Sequence, residues 1–311
     1  MLGIRTTIRF HSAARLGLLA IALQFIATAA NYSYDTAGRL IRADYGSAGV
    51  IVYGYDQAGN LTSRAMQSAP SAGAAVPVIT GVVNAEGGSP TIAPNTWVEI
   101  NGTNLAPVGD SRTWQSEDFA SNQLPTQLDG VSVTVNGESA FVYYISPTQV
   151  NILTPPDPMQ GSVQVQLSAN AATSKPFTVQ AQTASPSFFV FSGGYVCATH
   201  ANGSLIGPTT LYPGLSTPAA PGETILLFGN GFGPVSAPVT NTSLSQAGGL
   251  PTLPVVKIGG LAAIVQFAGL ISPGLYQFNV VVPPSAPNGD SVIVGAYNGL
   301  ITQDTTRITI Q

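Results

Sequence analysis

Apolar and polar residues alternate most clearly in Val131-Ser132-Val133-Thr134-Val135-Asn136-Gly137. Successive side chains of an extended strand point to opposite faces, so the three valines share one face and Ser132 and Thr134 share the other. A face that is apolar enough to be buried, backed by one that is polar enough to be wet, is typical of an antiparallel sheet with one solvated side. This stretch therefore predicts a strand of a β-sandwich.

The same pattern occurs twice between residues 77 and 311. Four landmarks recur at an offset of 127 or 128 residues, namely Gly102 with Gly229, Gln149 with Gln277, Pro155 with Pro283 and Gly161 with Gly289. Val131–Gly137 likewise corresponds to Val255–Gly260, and each copy closes on an alternating strand, Phe177–Val179 in the first and Ile308–Ile310 in the second. A near-constant offset indicates a duplication, and we expect two related modules at residues 77–181 and 182–311.

Composition limits the fold class. Only 8% of the 311 residues are charged, whereas 34 are glycine and 24 are proline. Glycine and proline carry the largest helix penalties, so the chain suits short strands joined by tight turns. A hydrophobic content of 44% argues against disorder because it can supply a core. With roughly seven short strands per module, the expected fold is all-β, with two tandem Ig-like sandwiches.

The first 30 residues have the pattern of a secretory signal peptide. Three arginines flank the start of an apolar run over residues 16–26, and the small residues at 27–30 allow cleavage after Ala29 or Ala30. An uncleaved membrane anchor is the alternative, but the apolar run is short for a span of about 20 residues. We expect export, and no membrane span after cleavage.

The chain that remains after cleavage is acidic. It has seven basic and fourteen acidic residues, a net charge of −7. An acidic chain without a basic patch is a poor partner for phosphate backbones, so nucleic acid is not an expected ligand. Cys197 is the single cysteine, which excludes an intramolecular disulfide.

A short repeat follows the leader. Tyr34-Asp35-Thr36-Ala37-Gly38-Arg39-Leu40 recurs 21 residues later as Tyr55-Asp56-Gln57-Ala58-Gly59-Asn60-Leu61. Asp-x-x-Gly is a turn signature, because the carboxylate bonds forward to the backbone and glycine adopts positive φ. The motif resembles the YD repeat of RHS proteins. Two copies are too few for the β-shell of that family, so we expect an appended hairpin at residues 31–65, followed by a flexible linker at 66–76.

Four further motifs are typical of one family. They are Gly81-Val82-Val83-Asn84-Ala85, Ile92-Ala93-Pro94, Ser146-Pro147-Thr148-Gln149-Val150-Asn151 and Gly274-Leu275-Tyr276-Gln277-Phe278-Asn279-Val280. On these motifs, residues 77–311 resemble the Solibacter-type uncharacterized C-terminal domain of Acidobacteria, which is similar to IPT/TIG Ig-like domains. Asn95 stands where that family usually has glycine, and asparagine also tolerates the left-handed conformation. The resemblance implies an architecture and a compartment, but no activity.

The sequence patterns do not indicate an enzyme. Gly229–Gly233 resembles a dinucleotide loop, but Pro234 excludes the helix that would hold the phosphate. Cys197 and His200 are three residues apart on a predicted strand, so their side chains point to opposite faces. A zinc site also needs three or four ligands. We expect no catalytic residue, no cofactor and no metal.

Three aromatic residues are candidates for ligand binding. Trp114 lies in a polar insertion, residues 108–123, that the second module lacks in this form, and Tyr34 and Tyr55 belong to the short repeat. An aromatic residue on a loop of a rigid sandwich can contact a ligand, but ordinary loop packing is the leading interpretation of Trp114 and ligand contact is the alternative. The expected function is that of a secreted or cell-surface, non-catalytic protein with a structural, adhesive or interaction role.

The alternative function is that of an extracellular carbohydrate-binding protein. The expected partners are accordingly extracellular polysaccharides or other surface proteins. The sequence leaves the identity of the ligand and the oligomeric state open.

Overall fold

A computed structural model of the protein describes residues 31–35, 37–45, 50–56, 58–67, 75–169 and 172–311. The expected signal peptide and most of the expected linker lie outside these residues. The chain forms two compact units, Met1–Ala75 and Val76–Gln311. Within the described residues all helical structure is 3₁₀, at Ser116–Asp118, Ala120–Asn122 and Ser192–Gly194. No helix there is long and apolar enough to span a membrane.

The first unit contains a four-stranded antiparallel meander, in which the strands pair in chain order. The strands are β1 (Asn31–Tyr34), β2 (Leu40–Asp44), β3 (Val50–Tyr55) and β4 (Leu61–Gln67).

The two copies of the short repeat form the same turn in this meander. The N–H of Gly38 donates to the carbonyl oxygen of Asp35 at 2.9 Å, and that of Gly59 to Asp56 at 3.0 Å. Each carboxylate also accepts the N–H of the residue four positions later, at 2.9 and 2.8 Å. Both glycines have positive φ, +76° and +90°. The 21-residue repeat in the sequence is therefore also a repeat of one turn geometry.

Two facing sheets form the first sandwich. Its strands are β5 (Val78–Asn84), β6 (Thr91–Ile92), β7 (Trp97–Thr103), β8 (Arg112–Thr113), β9 (Gln127–Leu128), β10 (Val131–Val135), β11 (Glu138–Ser139), β12 (Phe141–Ile145), β13 (Gln149–Leu153), β14 (Gly161–Ala169), β15 (Ala172–Thr173) and β16 (Phe177–Ala181). One sheet runs β11-β10-β14-β16-β6, with β15 beside β14 and β9 beside β10. The other runs β5-β7-β13-β12-β8.

The alternating stretch around Val133 lies in the sandwich as predicted. Val131, Val133 and Val135 are at most 2% exposed, and they join one apolar cluster with side chains from the facing sheet. Ser132 and Thr134 are on the outer face. Burial of a valine side chain contributes on the order of 1.5–3 kcal/mol, so the alternation both selects the strand and stabilises the core.

The second sandwich is formed by one continuous, folded-over sheet. Its strands are β17 (Ser187–Phe188), β18 (Ala198–Thr199), β19 (Leu205–Ile206), β20 (Ser216–Thr217), β21 (Thr224–Asn230), β22 (Gly248–Gly249), β23 (Val255–Ile258), β24 (Leu261–Ser272), β25 (Leu275–Val281), β26 (Gly289–Tyr297), β27 (Leu300–Ile301) and β28 (Arg307–Ile310). The order is β20-β19-β18-β21-β25-β24-β23-β26-β27, with β17 beside β21, β22 beside β24 and β28 beside β26.

The 12-residue strand β24 connects the two halves of this sheet. Its first residues pair with β23, and its later residues pair with β25. Both halves pack on an apolar cluster that includes Phe188, Phe232 and Phe278. The interior is a packed core, and the described part of the chain is all-β with two tandem sandwiches, as predicted.

Strand register confirms the duplication. Val150 pairs with Ile100 across β13 and β7, and Phe278 pairs with Leu227 across β25 and β21. These equivalent residues are 128 and 127 positions apart, as the sequence landmarks predict. The turn Asn136-Gly137 has φ of +54° and +87°, and its counterpart Gly259-Gly260 has +58° and +81°.

Each copy closes on the predicted strand, and the register gives the match between the two strands. Val163 pairs with Val179 in the first sandwich, and Ser291, which is 128 positions after Val163, pairs with Ile308 in the second. Ile308 therefore corresponds to Val179 and not to Phe177. A shift of two residues keeps every side chain on its face, so the alternation alone does not distinguish the two matches.

Gly102 and Gly229 occupy equivalent positions, and at both a backbone carbonyl oxygen of a neighbouring strand comes close to the glycine. A Cβ on Gly102 would collide with the carbonyl oxygen of Val78 in β5, and one on Gly229 would lie 2.8 Å from the carbonyl oxygen of Ser187 in β17. The strands β5 and β17 occupy corresponding places beside β7 and β21. The two glycines thus have a packing role.

Candidate functional site

Buried asparagines connect the two sandwiches. Asn84 ends β5 and Asn230 ends β21, and their exposed fractions are 1% and 0%. Nδ2 of Asn230 donates to Oδ1 of Asn84 and to the carbonyl oxygen of Trp97, both at 3.0 Å. The N–H of Trp97 donates in return to Oδ1 of Asn230 at 2.8 Å. We call these residues, with Ser185 and Ser187, the junction.

Two serines complete the junction. Nδ2 of Asn84 donates to the carbonyl oxygen of Ser185 at 2.6 Å, and Oγ of Ser187 donates to Oδ1 of Asn84 at 3.1 Å. A buried polar group that loses its partner costs about 1–3 kcal/mol. Because each sandwich supplies partners for the amides of the other, loss of one side chain leaves several groups unpaired.

A second contact joins the loops that follow β7 and β21, the strands that contain Gly102 and Gly229. The N–H of Leu124 donates to the carbonyl oxygen of Thr242 at 2.9 Å, and Gln123 forms an antiparallel bridge with Ser243. The second sandwich was expected to lack the 108–123 insertion in its polar form. The second sandwich has a segment of similar length, residues 235–249, at the corresponding place. The hydrogen bond and the bridge connect the two segments.

A cleft of about 360 Å³ opens beside the junction. Seven of its lining residues are polar and uncharged, namely Ser89, Thr91, Gln182, Ser185, Ser187, Thr302 and Gln303. Glu86 also lines the cleft and is 8% exposed. Burial raises the pKa of Glu86 to about 8, in spite of a hydrogen bond from the backbone of Val190. The Glu86 carboxyl is therefore protonated and uncharged at neutral pH. We call this space the junction cleft.

Cys197 is close to Glu86. Burial raises the pKa of the Cys197 thiol well above its usual range, and the Glu86 carboxylate, which is ionised at the high pH where the thiol would titrate, raises it further. Since the thiolate is the reactive form, such a thiol is a poor nucleophile and a poor metal ligand.

His200 lies between a carboxylate and a hydroxyl. Nδ1 is 2.5 Å from Oε1 of Glu223, and Nε2 is 2.9 Å from Oγ1 of Thr217. Hydrolases activate a serine with this order of groups. In this protein the hydroxyl belongs to a threonine, Thr217, and is a secondary alcohol, whereas that of serine is primary. Nε2 of His200 also lies 3.3 Å from the carbonyl oxygen of Thr217. A ring that donates to that carbonyl links β20 to the turn after β18, which is a structural role.

Sequence reasoning missed the His200 arrangement. Thr217 and Glu223 are 17 and 23 residues away along the chain. Both lie at or near loops, where no periodic pattern predicts contacts. Within the described residues, His, Cys, Asp and Glu side chains do not gather in groups of three or more that could hold a metal.

The predicted candidate Trp114 is packed in an aromatic cluster. Its ring centroid lies 4.8 Å from that of Tyr143, 5.1 Å from Phe119 and 5.8 Å from Trp97, all in edge-to-face geometry. Trp97 is 8% exposed, as expected for a core residue. Trp114 is half-buried against the first core. Its immediate contacts are therefore those of a packing residue.

Arg112 fixes the loop that carries Trp114. Its Nη1 lies 2.7 Å from Oδ2 of Asp118, and the guanidinium also pairs with Asp129. The hydrogen bonds from Arg112 lower the pKa of both carboxyls. The aromatic side chain is thus held in place from outside as well as from the core.

The candidates Tyr34 and Tyr55 lie in the first unit. Tyr34 is 59% exposed. Tyr55 is half-buried, because its hydroxyl donates to the carbonyl oxygen of Leu40 at 2.9 Å and the guanidinium of Arg39 lies 4.9 Å from its ring centroid. Of the two, Tyr34 is the more accessible to a ligand.

Comparison with curated proteins gives no match to the chain. Similar solved structures include the extracellular region of plexin A4, with 15% identity over 83% of this chain and 18% of that chain and a TM-score of 0.25. Another is the Bacteroides ovatus surface glycan-binding protein SGBP-B of a mixed-linkage glucan utilization locus, with 13% identity, 86% and 55% coverage and a TM-score of 0.33. A third is the gamma-CGTase of alkalophilic Bacillus clarkii, with 12% identity, 81% and 29% coverage and a TM-score of 0.25.

The chain spans between 18% and 55% of the length of these three structures. Similarity at this level does not bear on function. Residues 77–194 match the family model described as the IPT/TIG domain, which confirms the predicted likeness for the first sandwich.

Proposed function

We propose that this chain is an exported, non-catalytic protein of the cell surface or the extracellular space, in which the two sandwiches act as one rigid adhesive or interaction unit. The observation that carries the proposal is the junction. Asn84 and Asn230 are buried and hydrogen-bonded across it. Domains joined by a small or loose interface move relative to one another by default. A buried, mutually satisfied network instead supports one fixed arrangement, which suits a spacer or an adhesive module.

Export is supported by the leader pattern of residues 1–30, with cleavage after Ala29 or Ala30. Behind it we propose a YD-type repeat segment at 31–65, a linker at 66–76 and Ig-like modules at 77–181 and 182–311. The matching turns at Asp35 and Asp56 support the repeat assignment. The motifs of residues 77–311 support the Solibacter-type C-terminal domain as the wider family.

A non-catalytic role is supported by the contacts of the reactive side chains. The Cys197 thiol has a raised pKa because it is buried. Both ring nitrogens of His200 contact Glu223 and Thr217 within the same sandwich. The proposed partner is an extracellular polysaccharide or another surface protein.

The full chain with a C-terminal epitope tag tests the proposal when it is expressed in a bacterial host. We expect a mature N-terminus at Ala30 or Asn31 and loss of the tag when intact cells are treated with protease. We also expect that cells carrying the protein adhere better than cells lacking it to surfaces coated with extracellular polysaccharide or envelope protein. A full-length chain retained in the cytosol, or equal adhesion by both strains, contradicts the proposal.

A further inference from the structure

The outer face of the first sandwich is uncharged along its longest strand. Ser162, Gln164, Gln166 and Ser168 alternate with buried residues of β14 and point outward. On the neighbouring strands, Ser132 and Thr134 of β10 lie opposite Ser168 and Gln166, and Gln180 and Thr178 of β16 lie opposite Ser162 and Gln164. We call the outward residues of these three strands the amide–hydroxyl face.

Cross-strand hydrogen bonds orient the side chains of this face. Nε2 of Gln164 donates to Oγ1 of Thr178 at 3.0 Å, and Nε2 of Gln180 donates to Oγ of Ser162 at 2.9 Å. A primary amide has two N–H donors and a carbonyl acceptor. Each glutamine therefore keeps hydrogen-bonding capacity for a partner while its position is fixed.

The second sandwich shows that the fold does not require these polar residues. By strand register, the positions of Gln164, Gln166 and Ser168 are occupied there by Val292, Val294 and Ala296. Val292 is 52% exposed, so the substitution is on the surface and not a consequence of burial. The same register places Lys257, Asp290 and Arg307 of the second sandwich at the positions of Thr134, Ser162 and Thr178. The corresponding face of the second sandwich thus mixes apolar and charged residues, so the fold itself does not require the uncharged polar surface of the first.

The amide–hydroxyl face continues into the junction cleft. Gln180 of β16 pairs with Thr91 of β6. Thr91 and Gln182, two residues beyond Gln180 on the same face, both line the cleft of about 360 Å³. Glu86, at the cleft wall, is protonated at neutral pH because burial raises its pKa to about 8. A flat uncharged surface therefore leads into an uncharged concavity.

The absence of charge on β10, β14 and β16 selects the partner. A charged polymer would lose hydration at this surface without gaining a counter-charge, and an apolar one would bury the amides without hydrogen bonds. A neutral polymer rich in hydroxyl groups meets neither cost. We propose that the amide–hydroxyl face and the junction cleft bind an uncharged polysaccharide, with the chain along the face and a sugar unit in the cleft. This inference rests on the proposed extracellular role and names the ligand class for it.

The test is affinity electrophoresis of the full mature chain in native gels that contain one polysaccharide. Dextran, galactomannan and hydroxyethyl cellulose are the neutral probes, and alginate and polygalacturonate are the acidic ones. The decisive variant combines Gln164→Val, Gln166→Val and Ser168→Ala, which installs the residues that the second sandwich carries. The exposed Gln266→Val is the matched control in β24. A second variant, Gln164→Glu with Gln180→Glu, keeps the face polar but charges it.

We expect retardation by at least one neutral probe and not by the acidic ones. Loss of several hydrogen bonds should weaken the binding of both multiple variants at least about tenfold, with Gln266→Val unchanged. Unaltered binding by both multiple variants, equal retardation by acidic probes, or no retardation by any neutral probe overturns the inference. Export and adhesion are measured separately, so the proposed function stands or fails on its own.

Discussion

The side chains of Asn84 and Asn230 are hydrogen-bonded at 3.0 Å, although 146 residues separate them in the chain. Each ends an apolar strand of its own sandwich, and each is buried where the two sandwiches meet. The bond therefore depends on the relative position of two otherwise separate cores. Changes at this pair should affect both sandwiches together.

Asn230→Ala should lower the free energy of unfolding of the mature chain by about 2–4 kcal/mol. The substitution removes two donated bonds and one accepted bond and leaves the partners buried. Urea denaturation, followed by tryptophan fluorescence, measures the change. Gln266→Ala, at an exposed position of β24, should change the value by less than about 0.5 kcal/mol. Equal effects of the two substitutions would show that the junction contributes no stability.

Gly102→Ala should destabilise the first sandwich by roughly 2 kcal/mol or more, because the new Cβ would collide with the carbonyl oxygen of Val78. Gly249→Ala is the matched control, since a Cβ there meets no atom within 4 Å. It should be neutral within about 0.5 kcal/mol. Thermal unfolding of the two variants provides the comparison. If both behave like the parent chain, the packing role of Gly102 is wrong.

Stability should depend on pH through Glu86. Burial raises its folded-state pKa from 4.5 to about 8, so the folded state binds a proton that the unfolded state has lost. The contribution is fully present below about pH 4.5 and declines as the pH rises towards 8, by up to about 5 kcal/mol over the window. Glu86→Gln should flatten this part of the profile of unfolding free energy against pH. Glu117→Gln, on an exposed turn, serves as the control and should leave the slope intact.

Trp114→Ala should lower the unfolding free energy by about 2–3 kcal/mol. The substitution removes a half-buried ring and its contacts with Trp97, Phe119 and Tyr143. Trp114→Phe should recover part of the loss. The measurement pairs urea denaturation with retention on the neutral polysaccharides. If Trp114 contacts the polysaccharide directly, Trp114→Ala abolishes retention without changing stability. That result would place the carbohydrate-binding site on the loop that carries Trp114.

The His200 cluster should be structural. The parent chain and His200→Ala should hydrolyse p-nitrophenyl acetate at the same rate. His200→Ala should also lower the melting temperature, since it removes the contacts to Glu223 and Thr217. Hydrolysis that is faster in the parent chain and is lost in both His200→Ala and Thr217→Ala would identify a catalytic site.

Local patterns predicted the strands well. The alternation at Val131–Val135 indicated both the strand and its buried face, because the side-chain period of a strand is two. The same period leaves the match between the closing strands undetermined, because a shift of two residues preserves the alternation. The match is decided by which residues pair across neighbouring strands. The structure shows this pairing, and the apolar–polar alternation of the sequence does not contain it.

The junction could be predicted only in part. Asn84 lies in a motif that the sequence singled out and Asn230 lies in the Gly229–Gly233 stretch, but no role was predicted for either amide. Their contact was not predictable, because 146 residues separate them and no local rule fixes how two sandwiches pack. Packing of Trp114 was the leading interpretation from the sequence, but its partners Tyr143 and Trp97 were not predicted, because they come from other strands.

The rigidity of the paired sandwiches is tested most directly by a distance measurement between them. Spin labels at two exposed positions, through Ser139→Cys and Lys257→Cys in a Cys197→Ala background, report one distance by pulsed electron resonance. A junction that fixes the sandwiches predicts a single narrow distance distribution, broadened when Asn84→Ala and Asn230→Ala are added. A broad or multiple distribution in the chain with an intact junction would contradict it.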